Sequence, residues 1–254
     1  MTASFDRSIL KNKTVIFCVV HYNYECVKIT LKNIIKIIDQ NPDTYMVLID
    51  SKSEKKVKTI FDKITHPRID KISLPINFGY NTSINYYIRD FINSDNLPNI
   101  LISLGSDILF SNEDYQKLCV AIKNLPKFGV IGMSWAKNDC NPQRNTPFKA
   151  KKHTGTNRKD YWIKTPILVP VAGGIMGLRG ELLKELNYEL FPPSKLPKKF
   201  LKVLPVGGAD ASLYNALKFK YKMGYLEGTT AYHLKNRENT ILNIPKEFKH
   251  LLED

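Results

Sequence analysis

The stretch ILISLGSDILF at residues 100–110 contains the pattern that decides the fold. Its apolar first half predicts a strand buried on both faces, and the turn that follows carries an acidic residue, Asp107. The stretch MVLIDSKS at residues 46–53 repeats this order, with Asp50 at the end of the apolar run. Because ligands of open α/β sheets bind outside the carboxyl ends of the strands, both acidic residues mark a candidate ligand site.

Strand and helix patterns alternate through the first half of the chain. Apolar runs predict strands, and hydrophobic residues at helical spacing predict amphipathic helices between them. Such alternation is typical of an α/β fold with a mostly parallel central sheet, flanked by helices and joined by right-handed crossovers. The predicted strands are 14–20, 45–49, 69–74, 100–104 and 129–133, and the predicted helices are 25–38, 54–64, 83–92 and 112–125.

The regular alternation ends at Ala136. Residues 136–160 are polar, basic and rich in Pro, Gly and Asn, which predicts a long loop that is either functional or mobile. Residues 192–205 predict a second Pro- and Lys-rich crossing. The remaining pattern predicts structure at 161–172, a short helix at 181–186, a helix at 211–222, strands at 224–226 and 229–234, and an amphipathic tail at 245–254.

Length and charge bound the class of protein. The chain has 254 residues, 43% of them hydrophobic, which suits one large α/β domain or two small ones. With 38 Lys and Arg against 24 Asp and Glu, the net charge is +14. A basic chain favours anionic partners, such as nucleotide-sugars, phospholipid-linked acceptors, anionic membrane surfaces and nucleic acids. An AT-rich genome would also produce this richness in Lys, Ile and Asn, so the charge alone does not choose among them.

The cysteines indicate a reducing compartment. None of the four forms a C-x-x-C pair, so we expect free thiols and a cytoplasmic protein rather than a disulfide framework or a zinc site. We expect no signal peptide and no membrane span, because no apolar run approaches about 18 residues. Any contact with a membrane would then be peripheral.

Asp50 and Asp107 each allow two interpretations. At a strand end, Asp50 could accept hydrogen bonds from a nucleobase or a ribose hydroxyl, or it could cap the helix that follows. The turn Gly105-Ser106-Asp107 is well placed to hold Mg²⁺ or Mn²⁺ on a diphosphate, since both ions prefer oxygen ligands. Capping is the alternative for Asp107, although it lies too far ahead of the helix at 112–125 to cap it well.

Two glycine-rich segments occur in the second half of the chain. The run AGGIMG at 172–177 contains Gly173 and Gly174, which allow either a close approach to a ligand or a tight packing turn. It matches neither the dinucleotide-binding nor the P-loop pattern. The run GGAD at 207–210 places Asp210 in the first turn of a helix. There a carboxylate either stabilises the helix N-terminus or takes a proton from an acceptor hydroxyl.

His233 lies on the last predicted strand. A lone histidine there is most often a packed core residue, but paired with Asp107 it becomes a candidate metal ligand. The basic stretches 149–153 and 195–202 lie near aromatic residues that could stack on a base or a sugar. A solvated loop surface is the ordinary explanation of both stretches.

Taken together, these segments resemble the inverting GT-A glycosyltransferases, specifically the family 2-like group. The resemblance covers roughly residues 14–235 and depends on the order of the motifs rather than on any one of them. The corresponding segments are VVHYN (19–23), DSKS (50–53), NFGYN (77–81) with Asn85 beyond, GSD (105–107), GGIMGLR (173–179), AD (209–210) and His233 after Gly224-Tyr225.

This resemblance implies a GT-A, nucleotide-diphospho-sugar transferase fold in one catalytic domain, 1–254. Its donor half would be about 14–110 and its acceptor half about 128–235. The implied reaction moves a sugar, with inversion, from a nucleoside-diphosphate sugar (a UDP-sugar by default) to a hydroxyl of a glycan or lipid-linked acceptor. Asp210 is implied as the general base, and Asp107 and His233 as ligands of Mn²⁺ or Mg²⁺. The implied donor-binding residues are His21, Asp50, Asn77, Gly79, Ser106, Asp107, Gly173 and Gly174.

Two positions depart from the family pattern. Gly105 replaces the first Asp of the Asp-x-Asp motif, so a metal would be held by a reduced set of protein ligands. Ala209 replaces the Glu before the base, so other groups must orient Asp210. Both departures bear on whether the chain uses a metal and how active it is.

Two other functions stay open. A nucleotidyltransferase of the same broad fold should carry a Gly-rich loop with Arg or Lys after the first strand, and HYNYE at 21–25 lacks it. A non-catalytic domain that binds polyanions or a membrane surface fits the basic charge but leaves Asp50 and Asp107 unexplained. We expect no nucleic-acid partner, because strand-end carboxylates would repel a phosphate backbone.

Overall fold

The apolar runs of the sequence assemble into one sheet of ten strands. The computed structural model describes residues 5–136, 148–166, 174–192, 208–234 and 244–252, with the backbone alone at 148–149, 166 and 208–211. The strands are β1 (Thr14–Val20), β2 (Thr44–Ser51), β3 (Ile69–Leu74), β4 (Ile100–Leu104), β5 (Ile108–Leu109), β6 (Phe128–Trp135), β7 (Phe148–Thr154), β8 (Asp160–Pro166), β9 (Ile175–Arg179) and β10 (Lys222–His233).

Helices connect and cover these strands. They are α1 (Tyr24–Gln40), α2 (Lys55–Lys63), α3 (Gly79–Phe91), α4 (Asn112–Asn124), α5 (Leu182–Glu185) and α6 (Gly208–Leu217), with 3-10 helices at Arg7–Leu10 and Lys246–Leu251. Within the described ranges, no helix is long and apolar enough to cross a membrane.

The strand order places many strand ends along one edge of the sheet. The order is β3-β2-β1-β4-β9-β6-β10-β8-β7, with β5 paired to the far end of β10. Strands β1 to β4 are parallel, and β6 and β10 are parallel to each other. Strand β9 is antiparallel to both β4 and β6, so those two run in the same direction. The carboxyl ends of six parallel strands and the amino end of β9 therefore share an edge, called here the carboxyl edge.

Alternate residues of the central strands enter two separate cores. In β1, Ile16 and Cys18 pack on the side of α1, α2 and α4, whereas Val15 and Phe17 pack on the side of α3, α5 and α6. All four side chains are fully buried. A strand covered on both faces needs apolar residues at every position, which explains the uninterrupted run at 14–20.

The predicted α/β fold is confirmed, with three local corrections. The predicted loop at 136–160 is wrong for 148–154, which form β7 in a hairpin with β8. The strand was missed because its lysines resemble a loop sequence. Lysines are normal on an edge strand, where they discourage pairing with other chains. The two predicted strands at 224–226 and 229–234 are the single strand β10, which has a bulge where Gly228 adopts a φ of 76°. The predicted crossing 192–205 lies almost entirely outside the described residues.

Helix α3 begins earlier than predicted. Apolar spacing pointed to residue 83, but the helix starts at Gly79, whose φ of 75° suits a glycine. The Asn77 side chain accepts a hydrogen bond from the Gly79 N–H at 2.8 Å, and this polar contact starts the helix four residues ahead of its apolar face. A start signal made by a side chain outside the helix leaves no trace in hydrophobic periodicity.

A buried ionic contact attaches the N-terminal segment to the sheet. Arg7 Nε donates to Asp70 Oδ2 at 2.7 Å, and its guanidinium lies 3.8 Å from the ring centroid of Phe91. The hydroxyl of Tyr87 donates to the same carboxylate oxygen at 2.7 Å. Burial and the charge of Asp70 raise the pKa of Tyr87 well above its usual value, so the phenol stays protonated and keeps donating. Asp70 is only 3% exposed, so it depends on these two donors.

We predict that Arg7→Ala lowers the free energy of unfolding by about 2–3 kcal/mol, because it leaves a buried carboxylate with one donor fewer. Urea denaturation followed by circular dichroism measures this. The matched control is Arg89→Ala, since Arg89 makes a longer contact of 3.8 Å to Glu189 and is half exposed, so a loss of under about 1 kcal/mol is expected. Equal losses in the two variants would contradict the role of Arg7.

Candidate active site

The two strand-end carboxylates predicted from the sequence lie at the carboxyl edge. Asp50 is beside the last residue of β1 in the β1–β2 register, and Asp107 follows the end of β4. Burial raises the pKa of the Cys18 thiol to about 12, and the charge of Asp107 adds to this shift. Cys18 on β1 is the partner of Leu104, so Asp107 follows β4 three residues beyond this pair, next to the end of the central strand.

The carboxylate of Asp50 shapes the turn that leads to α2. Its Oδ1 accepts a hydrogen bond from the Ser53 N–H at 2.8 Å, and its Oδ2 lies 3.9 Å from Lys58 Nζ. Lys52, inside this turn, has a φ of 52°. The Asp50 side chain is 3% exposed. The structure therefore shows the local, turn-forming interpretation of Asp50, and a role in nucleoside binding stays a proposal.

Asn77 connects the ends of β1 and β2. Its Oδ1 accepts from Gly79 N and from the hydroxyl of Ser51, at 2.8 and 3.2 Å, and its Nδ2 lies 2.9 Å from His21 Nε2. Because Gly79 N can only donate, the nearby amide atom must be the oxygen, and Nδ2 is then the donor to His21. In this arrangement the imidazole is neutral, with its proton on Nδ1.

The Nδ1 atom of His21 is buried and has no hydrogen-bond partner among the described residues. An N–H in that state has lost its water without gaining an acceptor, which is unfavourable by about 1–3 kcal/mol. Such groups are rare in folded proteins and concentrate at functional sites, so His21 belongs with the candidate site residues.

Asp107 and His233 are brought together by backbone pairing. In the β5–β10 ladder, Ile108 is the partner of His233, and Leu234 N donates to the Asp107 carbonyl at 2.8 Å. The side chains meet at 3.4 Å between Asp107 Oδ2 and His233 Nε2, and both are a little over one quarter exposed. Two residues far apart in the sequence thus form one solvent-accessible pair at the carboxyl edge.

This pair suits a divalent metal with few protein ligands. An octahedral ion with ligands at about 2.1 Å holds neighbouring ligand atoms roughly 3 Å apart, close to the observed 3.4 Å. Across the described ranges, no group of three or more His, Cys, Asp or Glu side chains could hold a metal ion. Within the described ranges, Asp107 and His233 are therefore the side chains of this kind that could share an ion at this position.

The turn around Gly105 has little room for a larger residue. A Cβ at position 105 would lie 3.1 Å from Asp107 Oδ1 and 3.2 Å from a side-chain carbon of Ile108. Gly105 N also donates to the Gly174 carbonyl at 2.8 Å. Gly105, which replaces the first Asp of the Asp-x-Asp motif, thus lies in a closely packed turn. Ser106 lies in the same turn and is partly exposed.

Gly174 packs against an aromatic ring. A Cβ at this position would lie 1.9 Å from Cη2 of Trp135, so only glycine fits. The Trp135 ring is 6.0 Å from that of His233, measured between centroids. Of the two interpretations offered for the glycine run, the structure shows close packing at Gly174. Gly173 lies outside the described residues.

Asp210 is in the first turn of α6, and its side chain lies outside the described part of the chain. The position of the other end of the helix is shown by a contact with β6. A Cβ on Gly129, at the start of β6, would contact Leu217 and Tyr221. Helix α6 therefore ends beside the amino end of β6, and its ten residues are about 15 Å long.

Three further residues at this edge escaped the sequence analysis as site residues. Trp135 ends β6, and its indole Nε1 is buried with no hydrogen-bond partner in the described ranges. The hydroxyls of Tyr80 and Ser103 are 2.7 Å apart, which links α3 to the end of β4. The strand-end rule that identified Asp50 and Asp107 applies equally to Trp135, so a signal for it was present in the sequence.

Comparison with known proteins identifies a family. A family model described as Glycosyl transferase family 2 matches residues 16–186, more than half of the chain. This segment contains the ends of β1, β2 and β4 and the Gly174–Trp135 contact. A search of curated proteins gave no significant match.

Solved structures share the fold at low sequence identity. A mannosyltransferase, PcManGT from Pyrobaculum calidifontis, in complex with GDP-Man and Mn²⁺, superimposes with a TM-score of 0.60 at 12% identity, over 90% of this chain and 59% of that one. TarS 1–349 from S. aureus superimposes with a TM-score of 0.58 at 16% identity, over 87% of this chain and 60% of that one. GalNAc-T7 with UDP, GalNAc and Mn²⁺ superimposes with a TM-score of 0.57 at 13% identity, over 95% of this chain and 48% of that one. The chain thus spans about half to three fifths of the length of these proteins.

We predict that Gly174→Ala displaces the Trp135 ring and lowers the free energy of unfolding by about 2–3 kcal/mol, because the new methyl group overlaps the indole. Tryptophan fluorescence in a Trp162→Phe background reports Trp135 alone, and its emission should shift to the red. The control is Gly228→Ala, where open space surrounds the new Cβ and only the positive φ opposes it. An unchanged spectrum in Gly174→Ala would contradict this contact.

Proposed function

Because the chain belongs to glycosyl transferase family 2, we propose that it transfers a sugar from a nucleoside-diphosphate sugar to an acceptor hydroxyl, with inversion. A UDP-sugar is the default donor, and a glycan or lipid-linked molecule is the proposed acceptor. The observation that carries the proposal is the Asp107–His233 pair, held at 3.4 Å at the edge where the strands end. Beside this pair lie the polar groups of β1 and β2 that would face a nucleotide.

The donor would lie along the carboxyl edge with its nucleoside toward β1 and β2. Asn77 fixes His21, Ser51 and the first turn of α3 in one hydrogen-bonded unit, so this region is already ordered before a ligand binds. Preformed contacts lower the entropy lost on binding. Asp50 stabilises the turn after β2 in the same region. The diphosphate would then reach the Gly105-Ser106-Asp107 turn and the Gly173-Gly174 segment.

Asp107 and His233 are the proposed holders of Mn²⁺ or Mg²⁺. When bound, such an ion would neutralise the negative charge that develops on the departing diphosphate. To accept this role His233 must be neutral and Asp107 ionised, because a metal ion binds the unprotonated form of each ligand. The partial exposure of both side chains lets them reach a ligand without rearranging the strands.

Asp210 is the proposed general base. A carboxylate in the first turn of a helix is stabilised in its ionised form by the backbone N–H groups. Ionised, it could take the proton from an acceptor hydroxyl as that oxygen attacks the anomeric carbon. The bond from that carbon to the diphosphate oxygen breaks in the same displacement, which inverts the configuration. The position of Asp210 in the first turn of α6 supports this role.

The nucleotidyltransferase alternative is not supported by the segment after β1. That segment passes from Val20 to the start of α1 at Tyr24 through His21, Tyr22 and Asn23. It contains neither glycine nor a cation to hold a triphosphate. The match to the glycosyltransferase family therefore decides between the two enzymes.

A thermal-shift series tests donor and metal binding. We predict that UDP with Mn²⁺ raises the melting temperature by roughly 5–10 °C at saturating concentration, since a ligand that binds only the folded state stabilises it. His233→Ala should lose the part of this shift that depends on Mn²⁺. His153→Ala, a histidine on β7, is the control and should keep the full shift. If no nucleoside diphosphate stabilises the protein with or without Mn²⁺, the proposed function is wrong.

Turnover tests the base. We predict that Asp210→Asn lowers kcat by about 10²–10⁴-fold, because the amide cannot accept the proton. It should keep the nucleotide-dependent thermal shift, because donor binding does not require the base. Asp160→Asn on exposed β8 is the matched control, with turnover expected within about twofold of the parent. Turnover near normal in Asp210→Asn would remove that residue from the reaction.

A further inference from the structure

A basic surface with one exposed aromatic residue lies at the end of the sheet opposite the candidate active site. It is located where β6 and β10 begin, next to the turn that joins α6 to β10. We call it the basic end surface, and it consists of Lys127, Lys152, Lys218, Phe219, Lys220 and Lys222. The proposed sugar transfer uses none of these residues.

Phe219 projects from this surface into solvent. It is 90% exposed, more than any other large hydrophobic residue in the described ranges. The ammonium group of Lys218 lies 5.1 Å from its ring centroid, which is close enough for a cation–π contact. A phenylalanine in this position contributes nothing to either core. Its exposure is unfavourable in water, so a partner that covers the ring would explain it.

The lysines around Phe219 outnumber the carboxylates. Lys152 pairs with Asp160 at 2.7 Å, and Lys220 pairs with Glu185 at 2.9 Å. Among the described residues, no carboxylate forms an ion pair with Lys127, Lys218 or Lys222. The surface therefore keeps an excess of positive charge after its internal pairs are formed.

Three of the lysines converge on one cavity. Lys222 N donates to the Lys127 carbonyl at 2.9 Å, so the two residues are adjacent across the strands. Together with Lys152 and His153 they line a cavity of about 410 Å³. Burial lowers the pKa of His153, and the charges of Lys222 and Lys151 lower it further. The histidine thus stays neutral near pH 7 and reports a positive local potential.

We propose that the basic end surface binds an anionic lipid bilayer, with Phe219 inserted among the headgroups and the lysines on anionic phosphates. Bilayer interfaces accept a ring and cations side by side, because lysine side chains reach outward to the headgroups while apolar groups enter the boundary. An anionic leaflet attracts each nearby lysine with a factor of roughly five in affinity. The few cations here predict weak, salt-sensitive binding.

Nucleic acid fits this surface less well. Single strands bind along grooves in which several aromatic side chains stack on successive bases. Phe219 is the one fully exposed ring of the surface, since Tyr221 is partly buried and donates its hydroxyl to Glu185 at 2.5 Å. The proposal therefore commits to lipid and treats RNA as an outcome of the test.

This binding mode would fix the direction of the active site. The surface is at Lys222 and the proposed metal ligand is at His233, the two ends of the 12-residue strand β10. The paired stretch from Lys222 to Ala231 matches β6 from Phe128 to Trp135, and two more residues reach His233, so at about 3.3 Å per residue the two ends are roughly 30 Å apart. The carboxyl edge would therefore open away from the bilayer, which favours the glycan over the lipid-linked molecule among the two proposed acceptors. The inference does not depend on the proposed sugar transfer, because membrane binding is measured without a donor.

Co-sedimentation of the full chain with lipid vesicles tests the proposal. The protein should pellet with vesicles of equal parts phosphatidylcholine and phosphatidylserine, and stay in solution with phosphatidylcholine alone. Phe219→Ser should weaken binding by about tenfold through loss of apolar burial. Lys127→Glu with Lys222→Glu should weaken it by about twentyfold or more. All variants change exposed side chains, and their melting temperatures verify that they are folded.

Matched controls test whether binding depends on this surface rather than on the net charge or the exposed apolar area of the whole protein. Lys36→Glu with Lys63→Glu changes the net charge equally on α1 and α2, and Val120→Ser removes a different exposed apolar side chain. Both controls should bind vesicles within about twofold of the parent. The proposal is wrong if the parent does not pellet with anionic vesicles, or if the two charge reversals weaken binding equally. It is also wrong if single-stranded RNA binds more tightly than the vesicles and Phe219→Ser weakens both by the same factor.

Discussion

The coverage of the central sheet on both faces is the constraint on which the rest of this molecule depends. Apolar residues fill alternate positions of β1 on both sides, and helices enclose them. Polar or charged side chains within such strands would lose their water, so they are confined to the strand ends and the outer hairpin. The candidate active site and the basic end surface are consequently at opposite ends of the same strands. The proposed chemistry and the proposed membrane attachment are thus separated, because the middle of the sheet can host neither.

Backbone pairing, rather than side-chain contact, positions the proposed metal ligands. The short strand β5 pairs with the end of β10, which places Asp107 next to His233 although 126 positions separate them in the sequence (233 − 107). Antiparallel β9 adds the Gly174 carbonyl and the space for Trp135 at the same point. The side chains of both residues remain partly exposed. A rigid backbone with accessible side chains is what a site needs when most ligands of the metal come from the substrate.

Much of this architecture follows from the sequence, and the exceptions have physical causes. Strands β1, β2 and β4 were predictable because two-sided burial demands uninterrupted hydrophobic runs, and Asp107 with His233 followed from the order of the motifs. Strand β7 was missed because the rule for buried strands does not apply to a lysine-bearing edge. The start of α3 was missed because Asn77, outside the helix, fixes Gly79. The fit of Gly174 to Trp135 depends on a contact between distant segments, which hydrophobic patterns cannot show. The turn-forming contact of Asp50 is local and was one of the two interpretations that the sequence offered.

The bulge in β10 links the length of this strand to the chemistry at its end. Leu226 is the partner of Met133, and Ala231 is the partner of Trp135. Between these two pairs β10 advances by five residues and β6 by two, so β10 contains three extra residues. Side chains of a strand alternate between its faces, so the number of residues in the bulge sets the side on which His233 emerges. Deleting one residue there would rotate the imidazole away from Asp107 while every other strand kept its place. In descendants of this chain, a single-codon deletion could therefore separate metal use from the fold itself.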